Sequence, residues 1–299
     1  MKRTPDRTLR LVGFAALAGL LAVSPAAARR KPAPAAAQAP AAPTAADWRT
    51  PDPNNVLVID TNKGQIFVEL YPQVAPVSAA QVRDLVRSGF YDGRAFFRVI
   101  DGFMDQTGDP TDTGEGGSTK PNLPPEFTFK RDASTPMVVV DSGGGREAGF
   151  IDALPVLSQP IALAAMTADQ KVNAMVDYCP GVVGMARATD PASGNSQFFL
   201  MRGAHDTLNG KYTAIGRVIA GEDVVKSIKT GEPVPAPQDR MTKVQVLADI
   251  PAAQRPAIRV IDTHGRWFAA EIARVRAEKL IGISPCDFDI PSQVSPAAK

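Results

Sequence analysis

From Val56 onward, apolar and polar positions alternate in short runs bounded by turn residues. Val56-Leu57-Val58-Ile59 and Gln65 to Leu70 flank Asn62-Lys63-Gly64, which has the composition of a hairpin turn. In the second run Ile66, Val68 and Leu70 alternate with Gln65, Phe67 and Glu69, so the two sets point to opposite faces of a strand. The period changes over Ala75 to Ser88. Pro76 suits a first helical turn, Ala79, Val82 and Val86 form one apolar face, and Gly89 can end the helix. Phe96 to Ile100 is again a β-branched and aromatic run, with Phe96, Arg98 and Ile100 expected on one side. Gly102 permits a bend, and a further run starts at Phe103-Met104 and stops at Gly108. Strands are expected over Ala214 to Ile219 and Lys243 to Leu247, with a helix around Glu222 to Lys229. Many short strands with two helices predict a mainly β fold, a closed or nearly closed antiparallel barrel capped by the helices.

Two segments stand apart from that pattern. The insertion at 130–180 is too long for a structureless loop inside a compact domain. Gly143-Gly144-Gly145 breaks it and Pro155 to Pro160 is turn-rich. Thr167 and Gln170 read as a capping box ahead of Val172, Met175 and Val176 at helical spacing. One or two short helices packed on the barrel are expected there. In the C-terminal extension, 251–299, Arg266 to Lys279 reads as a helix with Phe268, Ile272 and Val275 on one face.

Composition changes the picture at the other end. Lys2, Arg3, Arg7 and Arg10 precede an unbroken apolar stretch from Leu11 to Val23, and Ala26-Ala27-Ala28 offers a small-residue cleavage site. The stretch is shorter than the ~20 residues a spanning helix needs. A cleaved signal peptide at 1–28, export to a periplasm and no stable membrane anchor are therefore expected. Residues 29–50, rich in Ala and Pro, read as a linker to a domain at 51–250. The whole chain carries a formal charge of +2, of which the signal supplies +3 (four cations less Asp6), leaving about −1. That balance lacks the basic footprint of a nucleic-acid binder.

Several chemistries lack their residues. Two histidines, His205 and His264, and two cysteines, Cys179 and Cys286, make no metal-ligand spacing. The glycine-rich stretches at Gly114 and Ser142 match no phosphate loop, and no Gly-x-Ser-x-Gly elbow occurs. No cofactor is expected. In an exported chain the two cysteines are disulfide candidates, although two unrelated thiols would also fit.

The specific signal lies in two blocks. Phe96-Phe97-Arg98-Val99-Ile100-Asp101-Gly102-Phe103-Met104-Asp105-Gln106-Thr107-Gly108-Asp109 is the first; Gly184-Met185-Ala186-Arg187 through Ser196-Gln197-Phe198-Phe199-Leu200 is the second. A lone strand Arg is costly to bury unless paired or used, and a carboxylate across the sheet would satisfy it. The nearby amides of Gln106 and Gln197 and the apolar Phe103, Met104, Phe199 and Leu208 also suit a ligand pocket.

Together the blocks resemble the cyclophilin peptidyl-prolyl cis-trans isomerases over roughly Val56 to Ile250, interrupted by the insertion. The resemblance implies an eight-stranded antiparallel barrel and catalysed rotation about X-Pro amides. That rotation has a barrier of about 18–20 kcal/mol. Arg98 would donate to the prolyl nitrogen as the amide twists, and Gln106 would orient Arg98. Phe103, Met104, Phe199 and Leu208 would clasp the ring beside Tyr212. The Ala186-Arg187 main chain and Gln197 would hold the preceding residues. Tyr212 stands where eukaryotic members usually have His, Phe97 where many have His, and Thr207 where cyclosporin-sensitive members have Trp. Partners implied are unfolded or loop segments of exported proteins containing X-Pro, with the chain itself a monomer. The alternative is a proline-peptide-binding chaperone or interaction module with little turnover.

Overall fold

The computed structural model describes residues 40–279 and 282–296, so the signal peptide expected at 1–28 lies outside the described residues. The elements follow in chain order. Strand β1 (Trp48–Arg49) leads into β2 (Val56–Thr61) and β3 (Gly64–Leu70), then helix α1 (Pro76–Arg87), β4 (Arg98–Ile100) and β5 (Met104–Thr107). The insertion holds β6 (Phe129–Arg131), β7 (Val138–Gly143), β8 (Arg146–Ile151), β9 (Leu154–Ser158) and β10 (Val172–Val176). The chain returns to the first sheet with β11 (Val182–Met185), β12 (Phe198–Met201), β13 (Ala214–Ala220), α2 (Glu222–Ser227) and β14 (Met241–Val246). It ends with β15 (Ala257–Ile261), α3 (Arg266–Glu278) and β16 (Ser292–Ser295).

Eight antiparallel strands curl in the order β14-β2-β3-β13-β11-β12-β5-β4. The two edges of that sheet meet. Val99 and Gly231 exchange both backbone hydrogen bonds at 2.8 Å, Phe96 N–H donates to Asp239 at 2.9 Å, and Met241 N–H donates to Arg94 at 2.9 Å. The interior is filled by Ile66, Val68, Leu70, Phe96, Val99, Leu200 and Ile215, closed over by Ala79, Val82 and Val86 of α1. Phe67, on the other face of β3, is buried too, beneath the C-terminal extension. Glu126 caps α1 from outside, accepting the Val77 and Ser78 N–H groups at 2.9 Å each.

The alternation expected around Arg98 holds only from Arg98 onward. Regular strand begins there, and Phe96 packs with Val99 in the barrel interior instead of sharing the Arg98 face.

The expectation of a helical insertion is corrected. Its strands form one antiparallel sheet in the order β6-β10-β9-β8-β7, with only a short 3-10 helix at Ile161–Met166. Thr167 belongs to a turn, accepting the Lys171 N–H at 3.0 Å, and Gln170 takes φ 52°. Beyond it Val172, Ala174 and Val176 are buried while Asn173 is exposed, which is the period of a strand. The apolar residues of so short a segment satisfy both spacings, and pairing with β9 decides between them.

The extension carries the expected α3 with Phe268, Ile272 and Val275 buried, against Val140 and Phe150 of the insertion. It also carries an unexpected sheet, β1-β15-β16. Ordered structure therefore starts before residue 50: Asp47 accepts the Trp267 N–H at 3.0 Å, and Arg49 grips Glu69 at 2.7 and 2.6 Å. The described parts fall in one compact unit, so residue 250 marks no structural boundary. Cys179 and Cys286 are disulfide-bonded, with Cα atoms 4.9 Å apart, tying the end of the insertion to the extension.

Candidate active site

Cross-strand register builds the site as one row. Arg98 of β4 lies opposite Gln106 of β5, Gln106 opposite Phe199 of β12, and Phe199 opposite Gly184 of β11. Residues opposite one another share a face, so these four present their side chains or lack of one to the same side. Met104 and Met201 form the next row on that face, two residues along. Gly184 is needed there: a Cβ would meet the Phe199 ring at 2.5 Å and the Tyr178 hydroxyl at 2.9 Å. Without one, Phe199 lies across the strand, stacked on buried Tyr178 with centroids 6.1 Å apart and edge-on to Tyr212 at 6.0 Å.

A cavity of about 100 Å³ opens over this row. It is lined by Arg98, Phe103, Met104, Gln106, Ala186, Arg187, Phe199, Leu208 and Tyr212, nine of the residues singled out in the sequence. That volume is below the ~300–1,000 Å³ of a drug-sized site, so it accepts one ring while the rest of a ligand runs outside. Leu208 enters from a 3-10 turn, Asp206–Leu208. Phe103 is braced by His205, whose ring lies 4.6 Å away.

The tenth, Gln197, lines the adjoining groove, which shares Gln106, Ala186 and Arg187 with the cavity. Its Nε2 donates to Gly114 O at 2.9 Å and Gly116 O at 2.8 Å, and its Oε1 accepts from Gln106 Nε2 at 2.9 Å. Gln106 Oε1 in turn accepts from Arg98 Nη1 at 3.2 Å. Arg98 Nε donates to Glu232 at 2.5 Å, and among the described residues Nη2 has no hydrogen-bond partner. Arg98 is thus paired to a carboxylate and also lines the cavity. Glu232 was not legible: it lies 134 residues away with no motif around it.

Arg187 contributes more than main chain. Its guanidinium lies 4.5 Å from the Tyr212 ring centroid and donates to Lys211 O, fixing that wall. Ala186 N–H donates to Gln197 O at 2.9 Å, closing the floor. Behind the pocket, Asn209 donates to Asp177 at 2.8 Å and accepts the Tyr178 N–H at 2.9 Å, so the Leu208 turn is moored two residues from Cys179. Burial pushes the Asp177 carboxyl up.

The titratable groups nearest the row serve the scaffold. Asp105, facing inward between Met104 and Gln106, pairs with Arg202 at 2.5 Å. Burial outweighs that partner and raises its pKa to about 7. Asp109 shapes the loop whose carbonyls hold Gln197. Burial favours its neutral form, but N–H groups of Thr111, Gly114 and Gly116 outweigh it and hold the carboxyl below its ordinary value.

Fold and pocket together are a curled eight-stranded barrel with an apolar cup beside the Arg98 guanidinium and the Gln106 amide, and the cavity lining contains no carboxylate, thiol or imidazole. The model of the cyclophilin type peptidyl-prolyl cis-trans isomerase/CLD family matches residues 56–247. The chain belongs to that cyclophilin family of peptidyl-prolyl cis-trans isomerases. A probable peptidyl-prolyl cis-trans isomerase of Brucella suis is 35% identical over 191 residues, covering 60% of this chain and 74% of the relative. Peptidyl-prolyl cis-trans isomerase-like 1 of Gibberella zeae is 31% identical over 197 residues, covering 64% of this chain and 95% of the relative. The crystal structure of cyclophilin AquaCyp293 from Hirschia baltica superposes with a TM-score of 0.78 at 35% identity, over 84% of this chain and 95% of that one. The structural likeness therefore extends past the residues that the family model matches.

Proposed function

We propose that the cavity holds the proline ring of an X-Pro segment and that Arg98 supplies the hydrogen bond that speeds rotation. Phe103, Met104, Phe199 and Leu208 give the ring an apolar cup. Ala186 and Arg187 lie at its edge, where the residues before the proline would run. In the planar ground state the prolyl nitrogen's lone pair is delocalised into the carbonyl. Twisting localises it, and a fixed guanidinium N–H then gains an acceptor that it lacks before and after. Stabilisation confined to the twisted amide lowers the barrier. The observation that carries this reading is the arrangement of Arg98, which lines the cavity and is anchored through Nη1 and Nε, with Nη2 left without a described partner.

The clients proposed are X-Pro segments of exported proteins, met by a monomer in a periplasm. The basic start and apolar stretch before Ala28 support this, as does the pairing of both cysteines, which suits an oxidising compartment.

A protease-coupled assay on an X-Pro peptide tests the mechanism. Arg98→Ala should lower kcat/KM by about 10²–10³, the scale for losing one preorganised donor, with the circular dichroism spectrum unchanged. Turnover like that of the wild type would overturn it.

A further inference from the structure

We infer that Glu232 is a positioning residue for the isomerisation, setting the plane in which the Arg98 guanidinium meets the twisting amide. The inference rests on the role proposed for Arg98 and adds a part that no motif in the sequence contains.

The backbone places the two residues face to face. On β4, Val99 exchanges hydrogen bonds with Gly231 at 2.8 Å, and Phe97 O accepts the Val234 N–H at 2.8 Å. Arg98 lies between Phe97 and Val99; Glu232 lies between Gly231 and Val234. The seam that joins the two edges of the barrel therefore brackets both, and the carboxylate reaches Arg98 Nε at 2.5 Å.

This contact has little to offer stability. The Glu232 side chain is 57% exposed and that of Arg98 35%, and ion pairs so open to water contribute little. Its geometric effect is larger. A guanidinium on a flexible stem has many orientations, and one anchor leaves it free to swing about that bond. Gln106 at Nη1 and Glu232 at Nε grip two different nitrogens, fixing position and plane together. What remains is Nη2, without a partner among the described residues, on a side chain that lines the cavity before any ligand arrives. Orientation fixed in advance is worth most in the transition state, so the loss should fall on kcat with KM little changed.

The test uses the full chain and an X-Pro peptide, with exchange measured by NMR so that binding and interconversion are separated. Glu232→Ala should lower kcat about tenfold and change KM by less than about twofold. Glu232→Gln keeps a carbonyl acceptor for Nε and should lose only about threefold. In an Arg98→Ala background neither substitution should lower activity further, because there is no guanidinium left to aim. Unchanged kcat in both single variants overturns the inference, as does an equal loss with and without Arg98, which marks a purely structural effect. Should Glu232→Ala not fold, the Glu232→Gln pair decides on the same terms. If Arg98→Ala itself retains full activity, the mechanism fails first; if only Arg98→Ala loses activity, the mechanism stands and the role of Glu232 falls.

Discussion

Gln106 and Gln197 join their side-chain amides head to tail, Gln106 Nε2 donating to Gln197 Oε1 at 2.9 Å. The direction of the chain is forced. Gln197 Nε2 faces two carbonyls, Gly114 O and Gly116 O, so its oxygen must face Gln106. Gln106 then has only its oxygen left for Arg98. A glycine-rich loop thereby dictates, through two neutral side chains, which atom meets the guanidinium. Gln197→Leu would leave both carbonyls and the Gln106 N–H without partners, at about 1–3 kcal/mol for the unmet groups. With that cost carried into the transition state, kcat/KM should fall by roughly 5- to 150-fold in the protease-coupled assay, one decade corresponding to about 1.4 kcal/mol.

Asp109 predicts an acid-sensitive loop. Its folded pKa lies below the unfolded value of about 3.9. The stabilisation is thus fully present above the unfolded value and is lost as pH falls through the folded one. Asp109→Asn should be less stable than the wild type at pH 7, by about 1–3 kcal/mol for a buried acceptor with several donors. The two denaturation curves should converge as pH drops below about 4. A gap that stayed constant with pH would show that the charge has no part in it.

The bond between Cys179 and Cys286 closes a separation of 107 residues. Disulfides typically contribute about 2–4 kcal/mol, and each kcal/mol is worth about 2–4 °C in a chain of this size. Cys286→Ser, or reductant added to the wild type, should lower Tm by about 4–16 °C in calorimetry. Two free thiols titrating in the denatured, unreduced protein would contradict the bond.

Thr207 is exposed on the turn that carries Leu208. By the family resemblance a tryptophan there contributes an indole face and an N–H to cyclosporin. Its replacement removes contacts worth about 2–3 kcal/mol. Inhibition of the isomerase by cyclosporin should therefore need micromolar drug, and a nanomolar inhibition constant would refute the expectation.

Export predicts a mature chain beginning after Ala28. N-terminal sequencing of protein purified from its native host tests this, and an intact Met1 would overturn it.

The barrel and pocket were legible because their residues are constrained by chemistry as well as by packing. Arg98, Gln106 and Phe199 sit in one row of the sheet, so strand periodicity and motif spacing carry the same information. The insertion offers only packing. Val172, Met175 and Val176 fit a helical face as well as a strand, and Gly144-Gly145, at φ 59° and 78°, is a two-residue hairpin turn that reads in sequence merely as a break. Trp48-Arg49 was hidden by its composition: two residues after an Ala/Pro stretch carry no period, and only pairing with β15 makes them a strand. Glu232 was hidden by distance, since nothing local distinguishes it from any exposed glutamate.

The seam between β4 and the segment at 231–241 also gives the site a place in time. A ribosome delivers the chain from its N-terminus, and Arg98 emerges more than a hundred residues before its carboxylate partner. Until Gly231 reaches Val99, the strand bearing Arg98 has one open edge and the guanidinium has one anchor. Cys286 arrives later still, so the turn that presents Leu208 gains its tie to the extension only after Glu232 has emerged. On the role proposed for Arg98, a nascent chain gains its second anchor for that guanidinium only once the segment at 231–234 has emerged and paired with β4.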